Sequence, residues 1–203
     1  MVDFMQQALT AAATAAPAWL QDIQDRGRDA WKGTRLPTRK TEAWKYTNLQ
    51  VLQQTFAAPN REAAKANVSD INLPQLGGPT LVFTDGLYRA ELSSTELPAG
   101  LTLVRFADAN PAEVEQIRAA LGSALLPGRH VFAPLNEATL ADGVFLRVAA
   151  DAVIAEPVHI AWLTSGQHET ISITQRLLVT LGANSQATLV ETFANTITGG
   201  TAF

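Results

Sequence analysis

From Val144 to Leu189 the chain sets apolar residues at every second position in a series of short runs, with no room for a helix between them. The runs are Val144/Leu146/Val148, Val153-Ile154, Val158/Ile160/Trp162, Ile171/Ile173, Leu177/Val179/Leu181 and Ala187/Leu189. Turn residues separate them at Asp142-Gly143, Ser165-Gly166 and Gly182-Ala183-Asn184-Ser185. Strands at this pace leave two solutions, a β-sandwich or a solenoid whose coils stack on one another. Periodicity does not choose between them, and no sharp internal repeat helps. The last residues, Leu189–Phe193 and then Thr196–Phe203, are strand-like and carry no polar tail. An uncapped apolar end is an edge-strand liability, so we expect these 203 residues to be the front part of something longer and to self-associate through that edge.

The preceding residues read differently, and the expected class is α+β, with residues 1–140 as a helical region carrying a small hairpin and 141–203 as the strand-rich core. Hydrophobic residues make up 47% of the chain, enough to bury a real core. Residues 2–14 suit a short Ala-rich helix with Val2, Met5 and Leu9 on one side. After Pro17, Leu20, Ile23, Gly27 and Trp31 recur at helical spacing, which predicts an amphipathic docking helix ending near Gly33. Residues 57–79 are rich in turn formers and predict a loop with a weak helical patch at Arg61–Ala66. Leu81-Val82-Phe83, Asp85-Gly86 and Leu87-Tyr88 spell a hairpin with a tight primed turn, to which Leu101–Val104 can add a third strand. Asn110-Pro111-Ala112-Glu113 is a helix start with N-cap, N1 proline and capping-box acid. Val114, Ile117, Leu121 and Leu125 form that helix's apolar stripe, and Gly122 or Gly128 ends it.

Between these parts lies Leu36–Leu49, where Arg39, Lys40 and Lys45 alternate with Trp44 and Tyr46 and Glu42 is the only acid. Pro37 stops the upstream helix. We read a turn or short helix that buries Trp44 and Tyr46 as anchors while its cations stay wet. The stretch is the centre of a charge asymmetry. Residues 1–65 hold nine Lys+Arg against six acids, and residues 66–203 hold six against thirteen. Basic residues interleaved with aromatics also invite a nucleic-acid reading. No RNA-binding motif accompanies them, and the chain as a whole carries a net charge of -4, so nucleic acid is not expected as a partner.

Catalytic patterns are missing. With no cysteine the chain has no thiolate nucleophile and no Cys-ligated metal. Gly77-Gly78-Pro79 is not a phosphate loop, and Gly-x-Ser-x-Gly and His-x-x-x-His do not occur. His130, His159 and His168 are scattered; His159 should point away from Val158 and Ile160, partnered or simply exposed. Glu113/Glu115 and Asp22/Asp25 belong to solvated helix faces rather than acid/base pairs. No secretory signal and no run of ~20 apolar residues is present, so no membrane is expected and the cytoplasm is the expected location.

One resemblance draws these parts together. Arg39, Glu42, Trp44, Lys45, Tyr46, Thr47 and Leu49 resemble an N-terminal motif of the SufB/SufD family, and within it the SufD branch. Leu81–Leu92, the step Leu97-Pro98-Ala99-Gly100-Leu101 and the run Phe132–Ala138 leading to Asp142-Gly143 are similar to later segments of the family, in the right order. Gln175–Phe193 is similar to an early rung of its core. The resemblance implies an N-terminal helical region followed by the start of a right-handed parallel β-helix. It implies a non-enzymatic scaffold in iron–sulfur cluster assembly, acting with SufB-like and SufC-like subunits, the latter an ATPase. The cluster is then handled by the complex, and no cofactor, metal or catalytic residue is assigned to this chain. The motif residues Arg39, Glu42, Trp44, Lys45, Tyr46, Thr47, Leu135, Asn136, Asp142 and Gly143 are expected to be structural. A SufB-type paralogue is the first alternative, though the absence of cysteine fits a sulfur-receiving role less well. A carbohydrate-active β-helix enzyme is the second, but Asp142, Asp151, Glu156, Glu169 and Glu191 are too dispersed for a paired-carboxylate site.

Overall fold

Pro17 opens a short 3-10 turn, Ala18–Leu20, that runs straight into helix α1, Gln21–Lys32, capped at Gly33. We describe the protein from a computed structural model covering residues 6, 7, 10, 16–47, 49, 73–125, 130–165 and 172–195. The order after α1 is β1 (Thr80–Thr84), β2 (Leu87–Tyr88), β3 (Leu101–Arg105), α2 (Pro111–Ala120), α3 (Ala133–Ala138), β4 (Val144–Val148), β5 (Val158–Thr164), β6 (Leu177–Leu181) and β7 (Leu189–Asn195). The class is α+β with mixed sheets. Gln6, Gln7 and Thr10 are helical; most of the predicted helix 2–14, the loop patch at 61–66 and the end at 196–203 lie outside the described residues.

The strands form two sheets, ordered β2-β1-β5-β7 and β3-β4-β6. Consecutive strands from β4 onward alternate between them. β4 pairs in parallel with β6, Val144 opposite Leu177 and Val148 opposite Leu181. β5 pairs in parallel with β7, Val158 opposite Leu189. A parallel bridge from Val153 to Gln186 joins the connections between them. β1 and β3 extend the sheets on the other side: β1 is parallel to β5, and β3 antiparallel to β4. The third strand foreseen for the hairpin is thus real but joins the opposite sheet, because its apolar residues match the exposed edge of β4.

Alternation of side chains explains the layering. Leu81, Phe83, Val158, Ile160 and Trp162 of one sheet face Leu101, Val144, Leu146 and Val148 of the other, forming the main core. On the far side of β4, Phe145 points instead into a second core with Leu20, Ile23, Phe106, Ile117, Leu121 and Leu140. The helices therefore cover the sheet β3-β4-β6, and that sheet covers the other. A period-2 strand buried on both faces serves two cores at once.

Local chemistry sets the joints. The Asp85-Gly86 turn has positive φ at both residues, 50° and 84°, as a primed turn requires. The Asp85 carboxylate, buried in that turn, accepts from the Ser165 N–H at 2.9 Å and from the Ser165 hydroxyl, which pins the hairpin to the end of β5. At the start of α2, Asn110 accepts from the N–H groups of Ala112 and Glu113, while Glu113 accepts from the N–H of Asn110, completing the capping box. Of the foreseen stripe, Ile117 and Leu121 are buried, while Val114 and Leu125 are half-buried. The helix stops at Ala120, and Gly122 follows the cap with positive φ.

His159 does turn away from Val158 and Ile160, towards the outer face of β5, where it is buried and its Nε2 meets Thr192 Oγ1 at 2.8 Å. Burial pushes the ring below its ordinary value near 6.5. The unfolded chain then binds a proton that the folded one resists, so stability is full above about pH 6.5 and declines as the pH falls through it. Thermal melts between about pH 5 and 7.5 should show a shallower acid-side decline in His159→Gln than in the parent protein. Parallel pH profiles would show that another group sets the slope.

Candidate functional site

The motif residues fall into two groups joined by one ring. The first is the surface segment of Arg39, Glu42, Trp44, Lys45, Tyr46 and Thr47, in which Glu42–Trp44 form a 3-10 turn. The second is the junction of Leu135, Asn136, Asp142 and Gly143, between α3 and β4. Phe132, the residue that caps α3, lies between two indoles, edge-on to Trp44 at 5.7 Å and tilted to Trp31 at 6.2 Å. Edge-to-face pairs of this kind add to the burial of the rings themselves.

Both aromatic anchors need correction. Trp44 is half-buried and packs against Phe132. Tyr46 is 92% exposed and anchors nothing; the Lys45 ammonium sits 5.4 Å from its ring centroid. The reason lies in the turn. Three residues of 3-10 geometry ending at Trp44 direct one indole inward and leave the residue two places on facing water. The deep anchor is Trp31, fully buried on α1. Arg39, Lys40, Glu42, Lys45 and Thr47 are exposed, as foreseen for the cations.

The junction is a four-way tie. The Asp142 carboxylate accepts from Arg105 at 2.8 Å, from the Ala107 N–H at 3.2 Å and from the Gly143 N–H at 2.8 Å. It thereby fixes the exit of β3 to the start of β4. The Gly143 carbonyl accepts from the Phe106 N–H at 2.8 Å. A Cβ on Gly143 would lie 2.7 Å from the Phe106 ring and 3.0 Å from the Arg176 carbonyl oxygen, so only glycine lets these three segments meet. Asn136 donates to the Gln175 carbonyl at 3.3 Å and accepts from Arg176 Nε at 3.0 Å. Thr139 and Thr174 share a further hydroxyl bond at 2.8 Å. Leu135 contributes its carbonyl, which accepts from both the N–H and the hydroxyl of Thr139.

Arg176, like Arg105, is a member that the sequence did not flag. Desolvation lowers its pKa, against the favourable field of Glu137. A charge held in this way depends on the acceptor facing it. Asn136→Leu removes that acceptor at nearly equal volume and is expected to cost about 2–3 kcal/mol, read as a lower denaturation midpoint at unchanged m-value. A midpoint within error of the parent would mean that water replaces the amide.

The arrangement has the chemistry of a clamp. Among the described residues no three of His, Asp and Glu converge as metal ligands would, and no helix is long and apolar enough to cross a membrane. The side chains of Arg105, Asn136, Thr139, Asp142 and Arg176 are each bonded to another part of the same chain.

The family pattern described as the SufBD protein N-terminal region matches residues 1–160. An iron-sulfur cluster assembly SufBD family protein of Synechocystis sp. is 30% identical over 162 residues, covering 78% of this chain and 36% of that protein. The chain belongs to the SufBD family. It spans about a third of the length of the curated relative it matches.

Proposed function

We propose that this chain is part of a SufD-type subunit, a non-enzymatic scaffold in iron–sulfur cluster assembly that works in the cytoplasm with SufB-like and SufC-like subunits. The observation that carries the scaffold reading is the stacking of strands. Each strand after β4 returns to the other sheet, and its parallel partner lies one circuit later: Leu177 beside Val144, 33 residues on, and Leu189 beside Val158, 31 residues on. That connectivity is what a solenoid needs, and a sandwich built of antiparallel hairpins does not produce it. We read β4 to β7 as the first two coils of a parallel β-helix, right-handed by the general preference of parallel crossovers. The helices and β1–β3 then form the region that closes its first coil.

The SufD side of the family is preferred because this stretch of sequence has no cysteine to receive sulfur. The junction side chains, occupied in holding segments together, support the scaffold role. Among the described residues the sheets end in β2 and β3 on one side and in β6 and β7 on the other, where Leu181 is 57% and Phe193 72% exposed. Such edges accept a further strand, from the same chain or from another copy.

Co-expression of the protein with SufB-like and SufC-like subunits of the same source tests the function. A complex that co-purifies, with ATP hydrolysis confined to the SufC-like subunit, is the expected outcome. Failure of the three to associate, or hydrolysis by the SufD-type chain alone, would overturn the proposal.

A further inference from the structure

The motif segment is hydrogen-bonded within itself, basic, and carries an aromatic ring that is 92% exposed. Its backbone is set by Thr38 and Thr41. Thr41 N–H donates to the Thr38 carbonyl at 2.8 Å, the Thr38 N–H to Thr41 Oγ1 at 3.2 Å, and the Lys40 N–H to Thr38 Oγ1 at 3.2 Å. The 3-10 turn continues from Thr41, and Trp44 fastens it to Phe132. The loop is thus held from below while its outer side faces water.

Most described cations elsewhere are paired with a carboxylate; Arg147 and Arg176 bond neutral acceptors instead, Thr102 Oγ1 at 3.4 Å and Asn136 Oδ1 at 3.0 Å. Arg26, Arg28, Lys32, Arg89, Arg105 and Arg118 each face a carboxylate of the same chain. Arg35, Arg39, Lys40 and Lys45 are exposed and make no ion pair with a described carboxylate, although Glu42 lies among them in sequence. The rest of the chain is acidic, so four cations within eleven residues, unpaired among the described residues, focus a local positive field. Beside them stands Tyr46, 92% exposed with Lys45 over its ring. Tyrosine and arginine presented on a rigid frame are the residues that dominate protein–protein contacts, because little side-chain entropy is lost on docking.

We propose that the Arg35–Tyr46 loop is a docking site for an acidic protein segment, whose carboxylates meet Arg35, Arg39, Lys40 and Lys45 and whose apolar or proline side chain covers Tyr46. A nucleic acid or an anionic membrane is disfavoured by the acidic remainder of the chain, which repels an extended polyanion. The site goes beyond the scaffold reading and does not depend on it.

The probe is a short fluorescein-labelled peptide rich in glutamate with a central Pro-Leu pair, read by anisotropy against the whole chain at low and at physiological salt. Binding that weakens with salt is expected, with a loss of about tenfold in Tyr46→Ala, which leaves the charge unchanged, and retention in Tyr46→Phe. Lys40→Glu with Lys45→Glu should abolish it. All these positions are exposed, so melting temperatures should not move. No binding by the parent protein overturns the proposal. So does equal binding by Tyr46→Ala, which would reduce the site to diffuse charge, and so does tighter binding of a single-stranded oligonucleotide than of the peptide. Assembly with SufB-like and SufC-like subunits is scored separately in the same variants, so loss of one function does not count as loss of the other.

Discussion

Gly27→Ala is expected to destabilise the protein by about 2 kcal/mol, although alanine is the better helix former by about 1 kcal/mol. Gly27 is buried in the middle of α1. A Cβ there would lie 2.5 Å from the Ala138 backbone nitrogen and 2.7 Å from Glu137 Cβ, so α1 touches α3 backbone to backbone. Backbone cannot rotate out of the way as a side chain can, and the helices must part. The loss would spread, because Gln24 donates to the Leu140 carbonyl at 2.6 Å across the same contact and Arg26 lies 3.8 Å from Glu137. Gly33 is the internal control: a Cβ there meets only the Ala30 carbonyl, at 3.6 Å, and Gly33→Ala should leave the denaturation midpoint nearly unchanged. If Gly27→Ala instead stabilises, α1 does not rest on α3 at this point.

Trp31→Ala is expected to cost about 3–5 kcal/mol, the range for a large aromatic removed from a closed core. Its side chain is fully buried and flanks Phe132, so the cavity opens under the motif segment. Trp44→Ala removes only a half-buried ring and should cost clearly less. Chemical denaturation of the two variants side by side checks the order. A larger loss for Trp44 would restore it as the principal anchor.

Read from sequence, Trp44 and Tyr46 are expected to be buried anchors, and there is a physical reason why one ring is half-buried and the other exposed. Trp31 was visible as the last member of a helical stripe with Leu20, Ile23 and Gly27, because a helix pattern states which face is buried. Trp44 and Tyr46 lie in a turn of three residues, where no period exists to say which ring points inward. Local signals with a fixed geometry were readable in the same way. The Asn110–Glu113 cap and the Asp85-Gly86 turn formed as their residues dictate. The two groups of motif residues could be picked out by resemblance, but their joining through Phe132 depends on contacts distant in sequence. Arg105 and Arg176 went unnoticed for that reason. Their partners Asp142 and Asn136 lie 37 and 40 residues away, and no spacing rule reaches so far. Burial of Arg176 has no signature in composition either. The strand runs were readable one by one, whereas their alternation between two sheets was not, since an apolar alternation is the same whether the neighbour is parallel or antiparallel.

The proposed coils rest on the parallel return of β6 to β4, and this can be tested directly because the sequence has no cysteine of its own. Arg147→Cys combined with Thr180→Cys places two thiols at facing positions of the parallel pair β4 and β6, within reach of a disulfide. Arg147→Cys combined with Leu178→Cys places them two residues out of step in that register, but face to face if the same strands ran antiparallel about Leu146 and Val179. Mild oxidation followed by non-reducing electrophoresis and peptide mapping reads both. The stacked arrangement predicts an intramolecular bridge in the 147/180 variant and none in the 147/178 variant, whereas a bridge formed by 147/178 in preference to 147/180 would contradict it.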